Sequence, residues 1–372
     1  MNNAKNRPRH SPPIFRWSKC DPARAPKNKY IVERLIRARG ANLVLSSPKK
    51  GKSQLAAHLV ACALSGKPVF GAYGVDAADL KILLLLTEEN RYRVRERIVS
   101  NLLGFGLSKT KVRALGKHIE QRLFISARDK SSTRNVQDMV FSVEHHSEWL
   151  LDEARGGTYD IIVLDSLRPA HSREENSSTE MKPVTDLMRE VSDYACALIV
   201  HHEGHAFAAS PRLGGDAARG TSDLDAARDT AVHILDGKFG KKMVIGFHHR
   251  DAPELFVALQ TTVDRKSGAV TWTLLGESDD PSEARRLMME GGVLERVDAA
   301  QQPEGLPSLS DARRILGDSC RDVIDSWTAE GIIEERPLRT KRAGAPSKRL
   351  MRPGQFTEKQ WAAAEKRLGG DP

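Results

Sequence analysis

Within NLVLSSPKKGKSQL, residues 42–55, a glycine, a lysine and a hydroxyl stand in a row as Gly51, Lys52 and Ser53. That order is what a phosphate-binding loop requires. Backbone N–H groups at a helix N-terminus surround the β-phosphate, the lysine reaches the β- and γ-phosphates, and the hydroxyl holds Mg²⁺. Ser47, Pro48, Lys49, Lys50 and Gln54 complete the expected loop, with ATP and Mg²⁺ as its ligands. One position departs from G-x-x-x-x-G-K-[ST], because Ser46 replaces the first glycine. If that position needs φ > 0, a non-glycine residue costs about 1 to 2 kcal/mol there, which a domain stable by ~5 to 15 kcal/mol tolerates.

Three further groups have types suited to the same chemistry. LLLLTEEN ends in Glu88 and Glu89, where a carboxylate at the end of a strand can polarise an attacking water. The plainer alternative is a surface acid pair that opens the next helix. YDIIVLDSL closes an apolar run on Asp165, suited to hold Mg²⁺ through water. LIVHHEGH carries His201, His202 and His205, a spacing that is not H-E-x-x-H and yields no zinc triad. A polar side chain there can instead hydrogen-bond the γ-phosphate and report its loss.

These residues need strands and helices to position them. ANLVLSS, LKILLLLTEE, LFIS, DIIVLDS and ALIVHHE read as strands with apolar residues on both faces, hence a parallel sheet covered on two sides. KSQLAAHLVACALSG, RYRVRERIVSNLLGFG and STEMKPVTDLMREVSDYA have helical periodicity, and Pro183 predicts an irregular first turn or two in the third. AVHILDG, KMVIGFHHRD, LFVALQTT and AVTWTLLG alternate like antiparallel strands. The expected fold class is therefore α/β, a phosphate-loop core with a mostly parallel sheet and antiparallel C-terminal strands.

The 372 residues suffice for a large core and a smaller domain. Residues 1–29 are too polar to offset the entropy of ordering and read as a basic disordered tail. A nucleotide domain then spans 30–276, a linker begins at ESDDP, a small module fills 277–356, and a helix or tail closes 357–372. With 40% apolar residues, no membrane-length apolar run and no apolar leader, a cytoplasmic protein is expected. Cys20, Cys62, Cys196 and Cys320 are scattered singly, as ordinary reduced thiols are.

Net charge is +9, and it is clustered. Residues 1–29 carry eight Lys or Arg against one acid, and residues 336–352 carry seven against none. Clustering of this kind suits a polyanion partner, although a solvating tail is the other reading of the N-terminal run. The C-terminal module reads as a helix, a turn at Gly317, a second helix from about Ser319 to Glu330, and a basic hairpin, which is the winged-helix pattern. Arg321 would then enter a DNA groove, with Asp325 or Thr328 beside it, while Ile324 and Trp327 face the core. Arg339, Lys341, Arg342, Lys348, Arg349 and Arg352 on the wing suit phosphates. Protein docking is the alternative use of such a module.

Taken together, YIVERLIRARGANLVLSSPKKGKSQLAAHLVACALSGKPVFG, LLLLTEEN, DIIVLDSLRPAHSREENSSTEM, LIVHHEGH, ARGTSDLDAARDTAVHI and FHHRDAPELFVAL resemble RecA-like ATPases of the RepA hexameric helicase type. The resemblance covers about residues 30–275 in the family's order. It implies that Glu88 is the catalytic glutamate, Asp165 the Walker B aspartate and His202 the second histidine of a His-His sensor. Arg219 would reach into the neighbouring subunit's nucleotide, so hydrolysis would need a ring or filament. Ser46 and His205 depart from the family pattern, which has glycine and often lysine there. The implied function is an ATP-hydrolysing hexameric ring, acting on single-stranded DNA in its channel and on double-stranded DNA at the winged helix, as a plasmid, phage or integrated-element helicase. An ATP-switched DNA-binding regulator and a strand-exchange recombinase are the competing readings.

Overall fold

The computed structural model describes residues 30–76, 79–127, 140–202, 222–317, 320–338 and 347–368. A short antiparallel hairpin, β1 (Tyr30–Val32) and β2 (Ile36–Arg37), leads into β3 (Gly40–Ser46), which is buried throughout. There follow α1 (Lys52–Ser65), β4 (Ile82–Leu86), α2 (Arg91–Gly104), α3 (Lys109–Arg122) and β5 (Leu123–Ala127). Next come α4 (Val143–Arg155), β6 (Ile161–Asp165), α5 (Ser178–Ser192) and β7 (Cys196–His202). After α6 (Ser222–Ala227), the strands β8 (Thr230–Gly237), β9 (Lys242–His249), β10 (Leu255–Val263) and β11 (Val270–Ser278) complete the sheet.

That sheet has nine strands in the order β11-β10-β9-β8-β3-β7-β6-β4-β5. The strands from β8 to β5 are mutually parallel, and β9, β10 and β11 are antiparallel. The architecture is thus α/β with a mostly parallel centre. Side chains alternate across a strand, so the leucine run of β4 is divided between two cores. Leu84 and Leu86 join α1 and α2 on one face, while Leu83 and Leu85 join α4 and α5 on the other. Each such buried leucine contributes about 1.5 to 3 kcal/mol.

Three expectations change. β5 is not buried on both faces, since it is the last strand of the sheet and leaves Phe124 and Ile125 38% and 37% exposed. Helix α5 is continuous from Ser178 through Pro183, with Ser177 accepting from the Glu180 N–H, so the proline forfeits one backbone bond without breaking the helix. The stretch ESDDP is no loose linker. Glu277 lies in β11, where it accepts from Arg34 Nη1 at 2.9 Å and from the Tyr73 hydroxyl. Asp280 then caps α7 (Pro281–Ala299), accepting from the N–H groups of Ser282 and Glu283.

Helix α7 packs on the sheet at one end and into the C-terminal core at the other. Ala284 meets Val244 and Phe256, whereas Val293 and Val297 join Leu316, Ile324, Trp327 and Trp361. Small residues permit the approach: a Cβ on Gly276 would lie 2.8 Å from Leu287 Cδ1, and one on Gly292 would lie 2.5 Å from Lys242 Nζ. Beyond it, α8 (Leu309–Leu316) starts with a Ser308–Asp311 capping box and ends at Gly317, whose φ is 67°. α9 (Cys320–Ala329), the antiparallel pair β12 (Glu334–Leu338) and β13 (Ser347–Met351), and α10 (Glu358–Leu368) close the chain, with Ile324 and Trp327 buried. No helix among the described residues is long and apolar enough to cross a membrane.

Candidate nucleotide site

Strand register gathers the site. Ser46 is paired with His202, Asp165 with Val200, and Leu86 with Asp165, so β3, β7, β6 and β4 deliver their last residues to one rim of the sheet. The carboxyl ends of parallel strands are where ligands bind in such sheets.

Ser47, Pro48, Lys49 and Lys50 span the gap between β3 and α1. Gly51 is the N-cap of α1, with φ 117° and ψ 20°, and among the described residues no side chain caps this end. Its first N–H groups therefore face outward, as an anion requires, and Gln54 lies in the same first turn. Backbone strain falls elsewhere than at Ser46. Ser46 closes β3, fully buried and without positive φ, whereas Lys49 takes φ 64°. The missing glycine therefore carries no left-handed penalty.

The loop is braced from across the sheet. Phe239, in the turn between β8 and β9, donates its N–H to Lys50 O at 3.0 Å. A Cβ on Gly51 would lie 2.7 Å from Phe239 Cβ, so glycine is required there for space as well as for φ. The turn is itself fixed by the buried Thr261, whose Oγ1 accepts from the Gly240 N–H at 2.7 Å and donates to Lys241 O at 2.9 Å.

Lys52 is buried, and its Nζ lies 2.7 Å from Ser46 O, 3.2 Å from Ser47 O and 3.3 Å from His202 Nδ1. Ser53 Oγ donates to Asp165 Oδ1 at 3.2 Å. Burial raises the Asp165 carboxyl to about 6 against the lowering effect of that bond, and the nearby Glu89 and Glu88 charges add to the rise. Hydroxyl and carboxylate oxygens are the hard donors Mg²⁺ takes, and the uncapped start of α1 suits a phosphate, so these residues fit Mg·ATP.

The acid pair is divided. Glu88 is exposed, and its Oε1 accepts from Ser166 Oγ at 2.8 Å. Glu89 is instead paired with Arg97 on α2. Two residues outside the sequence-based reading hold this rim together: Thr87 Oγ1 donates to Ser166 O and accepts from the Ser166 N–H, both at 2.8 Å. Their one sequence signal is position, Thr87 adjoining the proposed catalytic Glu88 and Ser166 the proposed Mg²⁺ ligand Asp165. Phe239 had none. The histidines are divided as well: His201 is fully buried on the opposite face, 3.9 Å from Glu175.

Arg219 and His205 lie outside the described residues, as do Arg339, Lys341 and Arg342. Arg321 forms ion pairs with Asp325 at 2.8 Å and Glu335 at 2.9 Å. Lys348 lies 3.1 Å from Glu335, and Arg349 donates to Leu306 O at 2.7 Å. These three are thus held within the module and stand far along the chain from the phosphate loop.

A phosphate loop at the carboxyl rim of a mostly parallel sheet, facing an acid at the end of the next strand but one, defines an α/β nucleotide-binding protein. Residues 6–208 match the AAA domain family, AAA_25, and the chain belongs to that family. No curated protein matches it. Its structure is similar to that of a DnaB-like replicative helicase described with its interactions with primase, at 13% identity and a TM-score of 0.42, covering 64% of this chain and 58% of that one. It is also similar to a KaiC-like protein from the hyperthermophilic archaeon Pyrococcus horikoshii OT3, at 13% identity and a TM-score of 0.41, covering 66% and 95%. The chain spans less than two thirds of the helicase's length.

Proposed function

We propose that this protein is an Mg·ATP-hydrolysing RecA-like motor that assembles as a hexameric ring and acts on DNA as a replicative helicase of a plasmid, phage or integrated element. The observation that carries the reading is the contact of Ser53 Oγ with Asp165 Oδ1, 3.2 Å, beside a buried Lys52. Bound Mg·ATP supplies the phosphoryl group and the counter-charge for its transfer. Around it, Ser53 and Asp165 offer oxygen donors, Lys52 and the α1 N–H groups face the phosphates, and Glu88 orients water. His202, touching Lys52 at 3.3 Å, passes the phosphate state to the chain that follows β7. Residues 203–218 are where a loop into a ring channel would emerge. Arg219 of an adjacent protomer stabilises the charge in transfer, an effect worth ~10³ to 10⁵ in rate. The C-terminal module, read as a winged helix, docks DNA through Arg321, Arg339, Lys341, Arg342, Lys348 and Arg349.

The decisive measurement is ATP turnover with and without single-stranded DNA, together with native mass in ATP. Expected are a ring-sized assembly, DNA-stimulated turnover, and loss of turnover in Lys52→Ala and Arg219→Ala. A monomer indifferent to DNA removes the motor, and full activity in Arg219→Ala removes the trans arginine. The continuity of α7 from the sheet into the module favours a second reading, an ATP-switched DNA-binding regulator. Strand separation assayed on a forked duplex decides between the two.

A further inference from the structure

The cationic surface of the folded chain differs from the runs of Lys and Arg in its sequence. In the C-terminal module, Arg321, Lys348, Arg336 and Arg352 face Glu335, Glu335, Glu358 and Asp298, and Arg349 faces a carbonyl. Residues 91–122, by contrast, carry nine Lys or Arg against two acids, Glu96 and Glu120. Two of the nine serve the fold: Arg97 pairs with Glu89, and the buried Arg122 donates to Leu80 O, Leu64 O and Ala63 O.

Arg93, Arg95, Lys109, Lys111, Arg113 and Lys117 are exposed, and their side chains make no ion pair among the described residues. On α3, Lys109, Arg113 and Lys117 recur every fourth residue, a single row with about 6 Å of rise between neighbours. Arg95 of α2 lines the same groove, of about 690 Å³, and Glu120 is the acid at its edge. Like charges at this spacing repel and weaken a helix. A polyanion laid along the row reverses that penalty.

We infer that the outer face of α2 and α3 binds the nucleic-acid backbone, with Lys109, Arg113 and Lys117 on successive phosphates and Arg95 across the groove. An acidic protein helix is the competing occupant, since Val99, Leu103, Ile119 and Ile125 also line the groove, but a single row of cations at every fourth residue with one acid beside it matches the repeating charge of a polyanion better. Tyr92, 68% exposed with the Arg91 guanidinium 5.2 Å over its ring, adds an aromatic group at the start of α2 against which a base can stack. The inference extends the reading of the protein as one that acts on DNA, yet it is tested by binding alone.

The experiment is fluorescence anisotropy of a labelled single-stranded oligonucleotide over a salt series, without nucleotide, on the full chain and on K109A/R113A/K117A. Each phosphate contact contributes about −0.7 to the log–log salt slope for single strands, so the triple variant is expected to flatten the slope by about 2. Its thermal melt and DNA-independent ATPase should match the parent, since alanine is favourable on an exposed helix face. An unchanged slope overturns the inference, as does a variant that keeps its DNA slope while losing affinity for polyglutamate. Repeating the titration in a Lys52→Ala background separates the two readings. A flattened slope in a chain that hydrolyses no ATP, even as wild type, keeps this surface and removes only the motor.

Discussion

Lys52 Nζ stands 3.3 Å from His202 Nδ1, which ties the phosphate loop to the end of β7. An ammonium only donates, so Nδ1 accepts and the ring is neutral, with its proton on Nε2. Replacing His202 with alanine is expected to lower kcat by roughly 100-fold, the scale of a lost transition-state contact, while ATP affinity changes little. Lys52→Ala should lose both. Titration of a fluorescent ATP analogue beside steady-state turnover checks the split.

Glu88 is aimed by Ser166, which Thr87 holds through two bonds at 2.8 Å. Thr87→Val keeps the shape and removes both bonds. A catalytic group displaced by about 1 Å can lose ~10² in rate, so kcat should fall ~10 to 100-fold with KM nearly unchanged. The buried Ser166 backbone groups left unpaired cost about 1 to 3 kcal/mol, visible in a denaturant melt.

Gly51→Ala places a methyl 2.7 Å from Phe239 Cβ at a φ of 117°. Two costs arise, one steric and one conformational. Phe239→Gly in the same chain removes that Cβ, which alanine would keep, and relieves only the first, so the double variant should recover part of the lost melting temperature and nucleotide affinity. Full recovery would show that the φ requirement is absent. No recovery would show that the Phe239 side chain is not what excludes a methyl at residue 51.

Buried histidines set the acid limit of the fold. His58, fully buried, accepts the Phe70 N–H at Nε2 and meets Asn101 Oδ1 through Nδ1 at 3.0 Å, and its ring stacks on Trp272. Burial lowers both His58 and His233 from 6.5 to about 3. Because the folded state favours the neutral rings, the unfolded chain binds the extra protons as pH drops below 6.5. Stability is therefore expected to fall with acidification, by up to about 1.4 kcal/mol per pH unit for each ring. Urea melts between pH 7 and 5 measure the slope, and His58→Gln should flatten it.

The order of strands and helices was legible because leucine and valine runs bounded by turns leave few alternatives, and Asp165, Lys52 and Ser53 each sit where a strand or helix must begin or end. What the sequence concealed was contact across distance. Nothing in GKFGKK indicates that Phe239 supports Gly51, and nothing in the TEEN or DSL segments reveals the bonding of Thr87 to Ser166. ESDDP misled because a strand end followed by an N-cap and a proline has the composition of a linker. Runs of charge misled similarly, since composition does not say that Arg321 and Lys348 meet Glu335, or that Lys109, Arg113 and Lys117 form no ion pair among the described residues.

Helix α7 covers Val244 and Phe256 with one half and seals Val293 and Val297 into the C-terminal core with the other. A shortened protein ending at residue 276 leaves a greasy scar on β9 and β10, while one ending at residue 299 keeps the cover and bares the far half instead. Neither cut yields a clean fragment. The two parts of this chain have to be produced, refolded and assayed as one piece.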